Sequence, residues 1–443
     1  MRPALLAALC LVLLSGAAAP RGQTTASAPA PAAKPAFPPV LGVSYRSPRG
    51  ALAWFDPLTL QTLRGRKAPL AGHTGSWAFS ADRGLLAIAS CAGDQEPLPS
   101  IRFVDARAMR VRGDRRLSPV RGCASALTWL RPRRLLAVVQ AAADAAVVLV
   151  DPLGRRVLRR ELLPSAPWAS GRTRDELVLL LGSWGAVAPA RLAVVDAAGR
   201  VRLRTLDRVL AGTVEEGEGE EHRARTIQPG LAVDPDGRRA YLVPASGPLA
   251  EVDLESLAVS YHELDRPSPL RRLLRWLDPV AQAKVLEGPV REARWLGGGT
   301  IAVSGSDYSL VRKDGQELMV QAPAGLTLVD TRSWTARVLD REASGFAVAS
   351  GLVIAQGGRW DSALDRGLGP GLRAFDLDGR ERWRLRAGEY RWLDPAGPVG
   401  YVWLGEGRAE VVDLATGAVL RRLERDEHRD PFPQLLAAQS ASW

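Results

Sequence analysis

Eight times along this chain an alternating apolar strand ends in Val or Phe, meets an aspartate, turns tightly and runs into a second strand. The copies are AWFDPLT at Asp56, RFVDARA at Asp105, VLVDPLG at Asp151, AVVDAAG at Asp196, AEVDLES at Asp253, TLVDTRS at Asp330, RAFDLDG at Asp376 and EVVDLATG at Asp413. Period-two apolar residues commit one strand face to a core. An aspartate at the strand end can accept backbone N–H bonds two or three residues on and so close the turn. Three residues after each aspartate stand Thr59, Ala108, Gly154, Gly199, Ser256, Ser333, Gly379 and Thr416, nearly all turn-tolerant. The eight carboxylates are therefore read as turn chemistry and not as a binding ring.

Between these hairpins lies a second, more variable pair of strands, as in WAFSADRGLLAIAS (77–90), ALTWLRPRRLLAVVQ (126–140) and EARWLGGGTIAVSG (292–305). Each unit is then a four-stranded antiparallel sheet. The aspartates are 49, 46, 45, 57, 77, 46 and 37 residues apart, and units of about 40–50 residues are the period of a β-propeller. Phe79, Trp129, Trp295 and Trp392 fall at matching places and are expected in the core between units. The first unit is short of a strand, having only VLGVSYR (40–46) before its hairpin, and QLLAAQS (434–440) is expected to supply the missing inner strand and close the ring. The expected fold is all-β, a propeller of four-stranded blades, eight by this count, with seven as the alternative, plus a small helical insertion.

The first complete unit carries a family resemblance. LAGHTGSWAFSADRGLLAIAS followed by IRFVDARAM resembles a WD-type repeat, with Gly72-His73, Phe79-Ser80, and Val104-Asp105 where such repeats have Trp-Asp. The other units lack the Gly-His pair and resemble the looser YVTN-type bacterial propellers. The resemblance implies architecture over residues 40–443 and, for His73 alone, a structural hydrogen-bonding role; it implies no ligand.

Arg2 followed by the uncharged apolar stretch Ala4–Ala19, ending in small residues, reads as an export signal over residues 1–19. Residues 20–38, rich in Pro, Ala and Ser, read as a disordered spacer, and 39–443 as the propeller. No other stretch is long and apolar enough to span a bilayer, so no transmembrane helix is expected after signal cleavage. The net charge is +11, from 59 basic and 48 acidic residues. Locally the two signs are interspersed, and export argues further against a nucleic-acid partner. Two cysteines remain in the exported part, Cys91 and Cys123, and an even pair in an oxidising compartment is expected to form a disulfide. The expected location is extracellular, cell-surface or periplasmic, and the expected state a monomer.

In a four-stranded blade the connections between second and third strands and between blades emerge on one face. Every long connection here falls there: 91–99, the acidic segment 214–222, 262–291, 306–324 and 358–371. Long loops on a rigid scaffold are where binding usually resides. Within 262–291, Ser268 and Pro269 open a helix, Leu270, Leu273, Leu274 and Leu277 share one side, and Arg271, Arg272, Arg275 and Trp276 the other; the insertion is placed near 265–288. The candidate binding face comprises these four residues with Tyr308, Arg312, Arg359 and Trp360.

Catalytic signatures are missing. Nucleophilic catalysis needs a base beside Ser or Cys, and none of His73, His222, His262 and His428 sits in such a motif. Neither an HExxH nor an EF-hand loop is present. The reading favoured is an exported, non-catalytic propeller that binds a protein or other ligand of the cell envelope, with no cofactor. The alternative is a propeller hydrolase, such as a lactonase, with a metal in the central channel.

Overall fold

The computed structural model describes residues 37–436 apart from 46–49, 74, 92–98, 118–121, 142–143, 155, 217–222, 237, 265–285, 314–315, 362–365, 406 and 427–430. Every regular element among them is a strand, and the strands fall into eight sheets. Sheet 1 contains Val40–Ser44, Ala51–Phe55 and Ala68–Pro69, sheet 2 Trp77–Phe79, Leu85–Ala89, Ser100–Asp105 and Arg110–Arg116. Sheet 3 runs Cys123–Arg131, Arg134–Ala141, Asp144–Asp151 and Arg156–Leu163; sheet 4 has Pro167–Arg172, Glu176–Leu181, Ala188–Asp196 and Val201–Glu216. Sheet 5 holds Gly230–Val233, Arg239–Val243, Leu249–Asp253 and Val259–His262, and sheet 6 Leu286–Gly297, Thr300–Lys313, Leu326–Asp330 and Thr335–Asp340. Sheet 7 is Gly345–Ala349, Leu352–Gln356, Leu372–Phe375 and Glu381–Leu385, and sheet 8 Leu393–Ala396, Val399–Gly405, Arg408–Asp413 and Val419–Glu424.

Period-two alternation decides how the sheets pack. In sheet 2, Leu86, Ile88 and Val104 join sheet 1 in one buried cluster, while Ala87, Ala89, Ile101 and Phe103 join sheet 3 in another. The same division recurs at every step from sheet 3 to sheet 8. The last cluster joins Ala396, Val399, Tyr401 and Val411 of sheet 8 to Leu60 of sheet 1. Each sheet thus buries both faces against its neighbours, which a single sheet could not do alone.

Closure uses the chain end. Gln434–Leu435 pairs with the first strand as Val43↔Gln434 and Gly42↔Leu435 and becomes the fourth, innermost strand of sheet 1. The Arg425 guanidinium donates to the Leu60 carbonyl at 2.7 Å. Phe37, at the end of the expected spacer, packs on the same cluster.

The aspartate turns follow the sequence reading. Asp56 Oδ1 accepts from the backbone N–H of Leu58 at 3.0 Å and Thr59 at 2.8 Å; Asp253, Asp330 and Asp413 accept from the same two positions. His73 is buried, with Nδ1 2.8 Å from the Leu70 carbonyl and Nε2 2.8 Å from Ser100 Oγ. That is the structural role its resemblance implied.

Three of the four matched aromatics pack between sheets, Trp129 donating to the Ala78 carbonyl at 3.0 Å and Trp295 stacking on Tyr241 at 5.4 Å. Trp392 departs from the expectation: it is 39% exposed. Its strand starts at Leu393 and continues to Ala396 before turning, so Trp392 stands just before the inner strand of sheet 8, two residues farther from the turn than Trp129, with the edge of its ring still against Gly345 and Gly357 of sheet 7. The expected helical insertion, with Arg271, Arg272, Arg275 and Trp276, lies outside the described residues up to 285; from Leu286 the chain is strand, so 286–288 belong to sheet 6. The signal and most of the spacer also lie outside the described residues.

Candidate functional site

Antiparallel order sends the second-to-third-strand connections and the sheet-to-sheet links to one end of the ring. Two of the connections read as loops are in fact strands. The second strand of sheet 6 does not stop at its blade edge but runs on through 306–313, and Gln316–Pro323 folds back on it with Ser306↔Pro323 through Lys313↔Gln316. In sheet 7, the segment read as loop 358–371 contains a small hairpin of Arg359–Asp361 and Arg366–Leu368. That hairpin pairs across the blade boundary, Val320↔Asp361 and Gln321↔Trp360. On the other side, 286–290 pairs with 306–309. Five strands from two blades therefore form one platform on the loop-bearing face.

Register aligns Gly288, Tyr308, Gln321, Trp360 and Gly367 in a single row, one residue per strand. Directly opposed residues share a sheet face, so Tyr308, Gln321 and Trp360 project together; Gln321 Nε2 donates to the buried Ser306 hydroxyl at 2.8 Å on that side. The neighbouring row, Pro289, Asp307, Ala322 on one part and Arg359, Leu368 on the other, takes the opposite face. Ala322, Arg359 and Leu368 are exposed there, and Asp307 accepts from the Arg291 guanidinium at 2.7 Å. The candidate residues thus divide: Tyr308 and Trp360 on the inward face, Arg359 on the outward one. Arg312 lies on the same strand as Tyr308, four residues on.

Glycines make the departure from the blade possible. Gly305, where the sheet 6 strand leaves its blade, has φ +147°, and a Cβ there would stand 2.1 Å from the Val290 carbonyl oxygen. Gly212, at the same point of the extended outer strand of sheet 4, has φ +150° and would meet the Ala186 carbonyl at 2.1 Å. Beyond Gly212, the expected acidic loop is likewise partly strand: 212–216 pairs with Arg223–Ile227, and only the tip 217–222 lies outside the described residues. Gln228 then bridges to Val290, bringing this hairpin against the platform.

An aromatic row covers the sheet 7 end. Trp360 meets Tyr390 at 5.6 Å and Tyr390 meets Trp392 at 6.2 Å, both edge to face. Sequence reasoning assigned Trp392 to the core and missed Tyr390.

The predicted disulfide is present. Cys91 and Cys123 are bonded, with Cα atoms 4.1 Å apart, and their backbones form an isolated bridge. Cys91 opens the second-to-third-strand connection of sheet 2 and Cys123 begins the inner strand of sheet 3, so the bond ties two blades on the loop-bearing face.

A cleft between the inner strands of sheets 4, 5 and 6 is lined by Ser170, Gln228, Glu292 and Arg294 among others. Burial pushes the Glu292 carboxyl above its usual range, partly offset by Arg294 at 3.7 Å. Among the described residues no group of three or more His, Cys, Asp or Glu could hold a metal ion. His262 is engaged with Glu251 at 2.7 Å, and His222 and His428 lie outside the described residues.

Eight consecutive antiparallel sheets, packed face to face and closed by the chain end, make this chain a β-propeller that carries a strand-built platform on one face. It is similar to solved bacterial β-propellers. The dihydro-heme d1 dehydrogenase NirN, in complex with DHE, is 13% identical, with a TM-score of 0.51 over 91% of this chain and 76% of NirN. Apo AztD from Citrobacter koseri is 12% identical, with a TM-score of 0.45 over 89% of this chain and 96% of AztD; BamB from Moraxella catarrhalis is 13% identical, with a TM-score of 0.37 over 85% and 83%. At such identities the likeness reaches the fold alone. No protein-family model and no curated protein matches the chain.

Proposed function

We propose that this is an exported, eight-bladed β-propeller that binds a protein or other envelope ligand through the platform, without catalysis and as a monomer. The observation that carries the reading is the platform itself. Strands of two blades pair across their boundary, Gln321 to Trp360, in a structure the propeller core does not need. Extra ordered strands on a rigid scaffold serve presentation: they hold side chains in place at less entropic cost than loops do. The disulfide supports an oxidising compartment outside the cytoplasm. No helix among the described residues is long and apolar enough to cross a membrane.

The test is affinity capture from envelope extract with the native chain and an Arg359→Glu/Leu368→Ser variant. Both side chains are exposed, so the fold is kept. Recovery of the captured partner is expected to fall at least about tenfold, the effect of losing a charged and an apolar contact at an interface. Equal recovery by both proteins would sink the platform as the binding surface. A second variant lacking 266–284 reports on the insertion while sparing the sheet 6 strand that starts at Leu286.

A further inference from the structure

A different surface carries a second inference, independent of the platform. The signs of charge are mixed locally, yet the ring is polarised. Among the described residues, 61–210 hold 23 Lys and Arg against 10 Asp and Glu, a surplus of 13 positive charges; 211–436 hold 23 against 25 and are close to neutral. The basic part is the outer strand of sheet 1 with sheets 2, 3 and 4. Its exposed arginines concentrate on the outermost strands: Arg110, Arg112 and Arg116 in sheet 2, Arg156 and Arg159 in sheet 3, Arg204 and Arg208 in sheet 4.

Several are already neutralised. Arg112 pairs with Asp105, Arg159 with Glu161 at 2.9 Å, and Arg208 with Glu263 at 3.4 Å. Arg110, Arg116, Arg156 and Arg204 have no acidic partner among the described residues. Apolar side chains stand beside these charges on the same strands. Leu162 is 76% exposed, Leu203 47% and Leu210 46%. Exposed apolar residues also stand beside arginines on the outer strands of sheets 6 and 8, Val338 at 51% and Leu420 at 39%; in sheets 2–4 they coincide with the surplus of positive charge. A lipid headgroup region, anionic at its surface and apolar a few ångströms below, takes both.

We propose that the outer strands of sheets 2–4 dock the propeller edge-on against an anionic lipid bilayer, arginines on the phosphates and Leu162 and Leu203 in the interface. The near-neutral remainder of the ring then faces away, and the resulting charge asymmetry orients the approach.

The experiment is co-sedimentation of the full chain with phosphatidylglycerol-containing vesicles and with neutral phosphatidylcholine vesicles. Wild type and variants share one N-terminus, so the apolar stretch 4–19 contributes equally to all. The quantity read is the preference for anionic over neutral vesicles. Changing Arg110, Arg116, Arg156 and Arg204 to Gln is expected to cut that preference at least about a hundredfold. Changing Arg238, Arg341, Arg380 and Arg421 to Gln, also exposed and without an acidic partner among the described residues but outside sheets 2–4, should leave it within about twofold. Leu162→Ser/Leu203→Ser should weaken vesicle binding severalfold and leave retention on immobilised polyglutamate unchanged. An absent anionic preference, equal loss in the two arginine sets, or retention on polyglutamate with none on vesicles would overturn the proposal, the last in favour of an acidic protein partner.

Discussion

The Tyr401 hydroxyl donates to the Pro57 carbonyl at 2.8 Å, a buried hydrogen bond that spans 344 positions of sequence and joins the last sheet to the first. Beside it, Leu60 is fully buried in the sheet 8 cluster. Tyr401→Phe leaves a buried carbonyl without this donor, and the expected loss is about 1–2 kcal/mol, read from urea unfolding. Burial holds the Tyr401 phenol above its ordinary value near 10. A group whose folded value is raised stabilises fully below the unfolded value and loses that contribution as pH rises past it. Wild-type stability should therefore fall above about pH 10 more steeply than that of the Phe variant. Parallel curves in that range would show that the phenol does not titrate against folding.

Glu410 is the opposite case. Its side chain is buried, accepts from Arg386 through both carboxylate oxygens at 2.7 and 2.8 Å, and also meets Arg422 at 3.2 Å. These arginines, Arg386 first, hold its carboxyl below the usual range. The contribution is present above the unfolded value and is lost as pH falls through the depressed folded one, so wild-type stability should fall more steeply on acidification than that of Glu410→Gln, and the gap between the two should narrow. Glu410→Ala is expected to cost about 2–3 kcal/mol at neutral pH, short of the value for a fully buried pair because both arginines reach solvent. Thermal melts at pH 7 and pH 4 read both statements.

The blade was legible because Val/Phe-Asp ends and period-two alternation are local signals repeated eight times. The closing strand was legible by arithmetic: a unit one strand short needs a donor, and the chain end supplies Gln434–Leu435. The platform was not. Residues 306–324 fall outside the blade period, and a stretch outside the period reads as loop. Yet Asp314-Gly315 stands between Lys313 and Gln316, and such a dipeptide between alternating residues is a strong hairpin signal. Pairing of Arg359–Asp361 with it had no local signal, since three-residue strands exist only through their partner. Trp392 differed for a similar reason: a two-residue change in turn position left it before the strand, partly exposed, with its ring against Gly345 and Gly357.

The Cys91–Cys123 bond closes a segment of sequence separation 32. On the chain-entropy account a loop of that length stabilises by about 3–4 kcal/mol. Cys91→Ser/Cys123→Ser should unfold at correspondingly lower urea, with an unchanged slope if the native state is preserved. Reduction of the wild type should shift its midpoint to that of the double variant. A midpoint indifferent to reductant would mean the bond does not form in the purified protein.

Gly305 is the sharpest single position on the platform. With φ +147° and a carbonyl 2.1 Å from where a Cβ would stand, no side chain fits without moving Val290. Gly351 is the control: its φ is +73°, and nothing lies within 4 Å of its Cβ position. Gly351→Ala carries only the left-handed backbone penalty, about 1 kcal/mol. Gly305→Ala adds a backbone clash and is expected to cost at least about 2 kcal/mol more. Because Gly305 sits where 306–323 leaves the blade, the damage should be local. Amide exchange should accelerate across 306–313 and 316–323 while the sheets 2 and 3 core stays protected. Loss of protection throughout the ring would instead make the platform part of the propeller's cooperative core and remove the case for it as an added binding element.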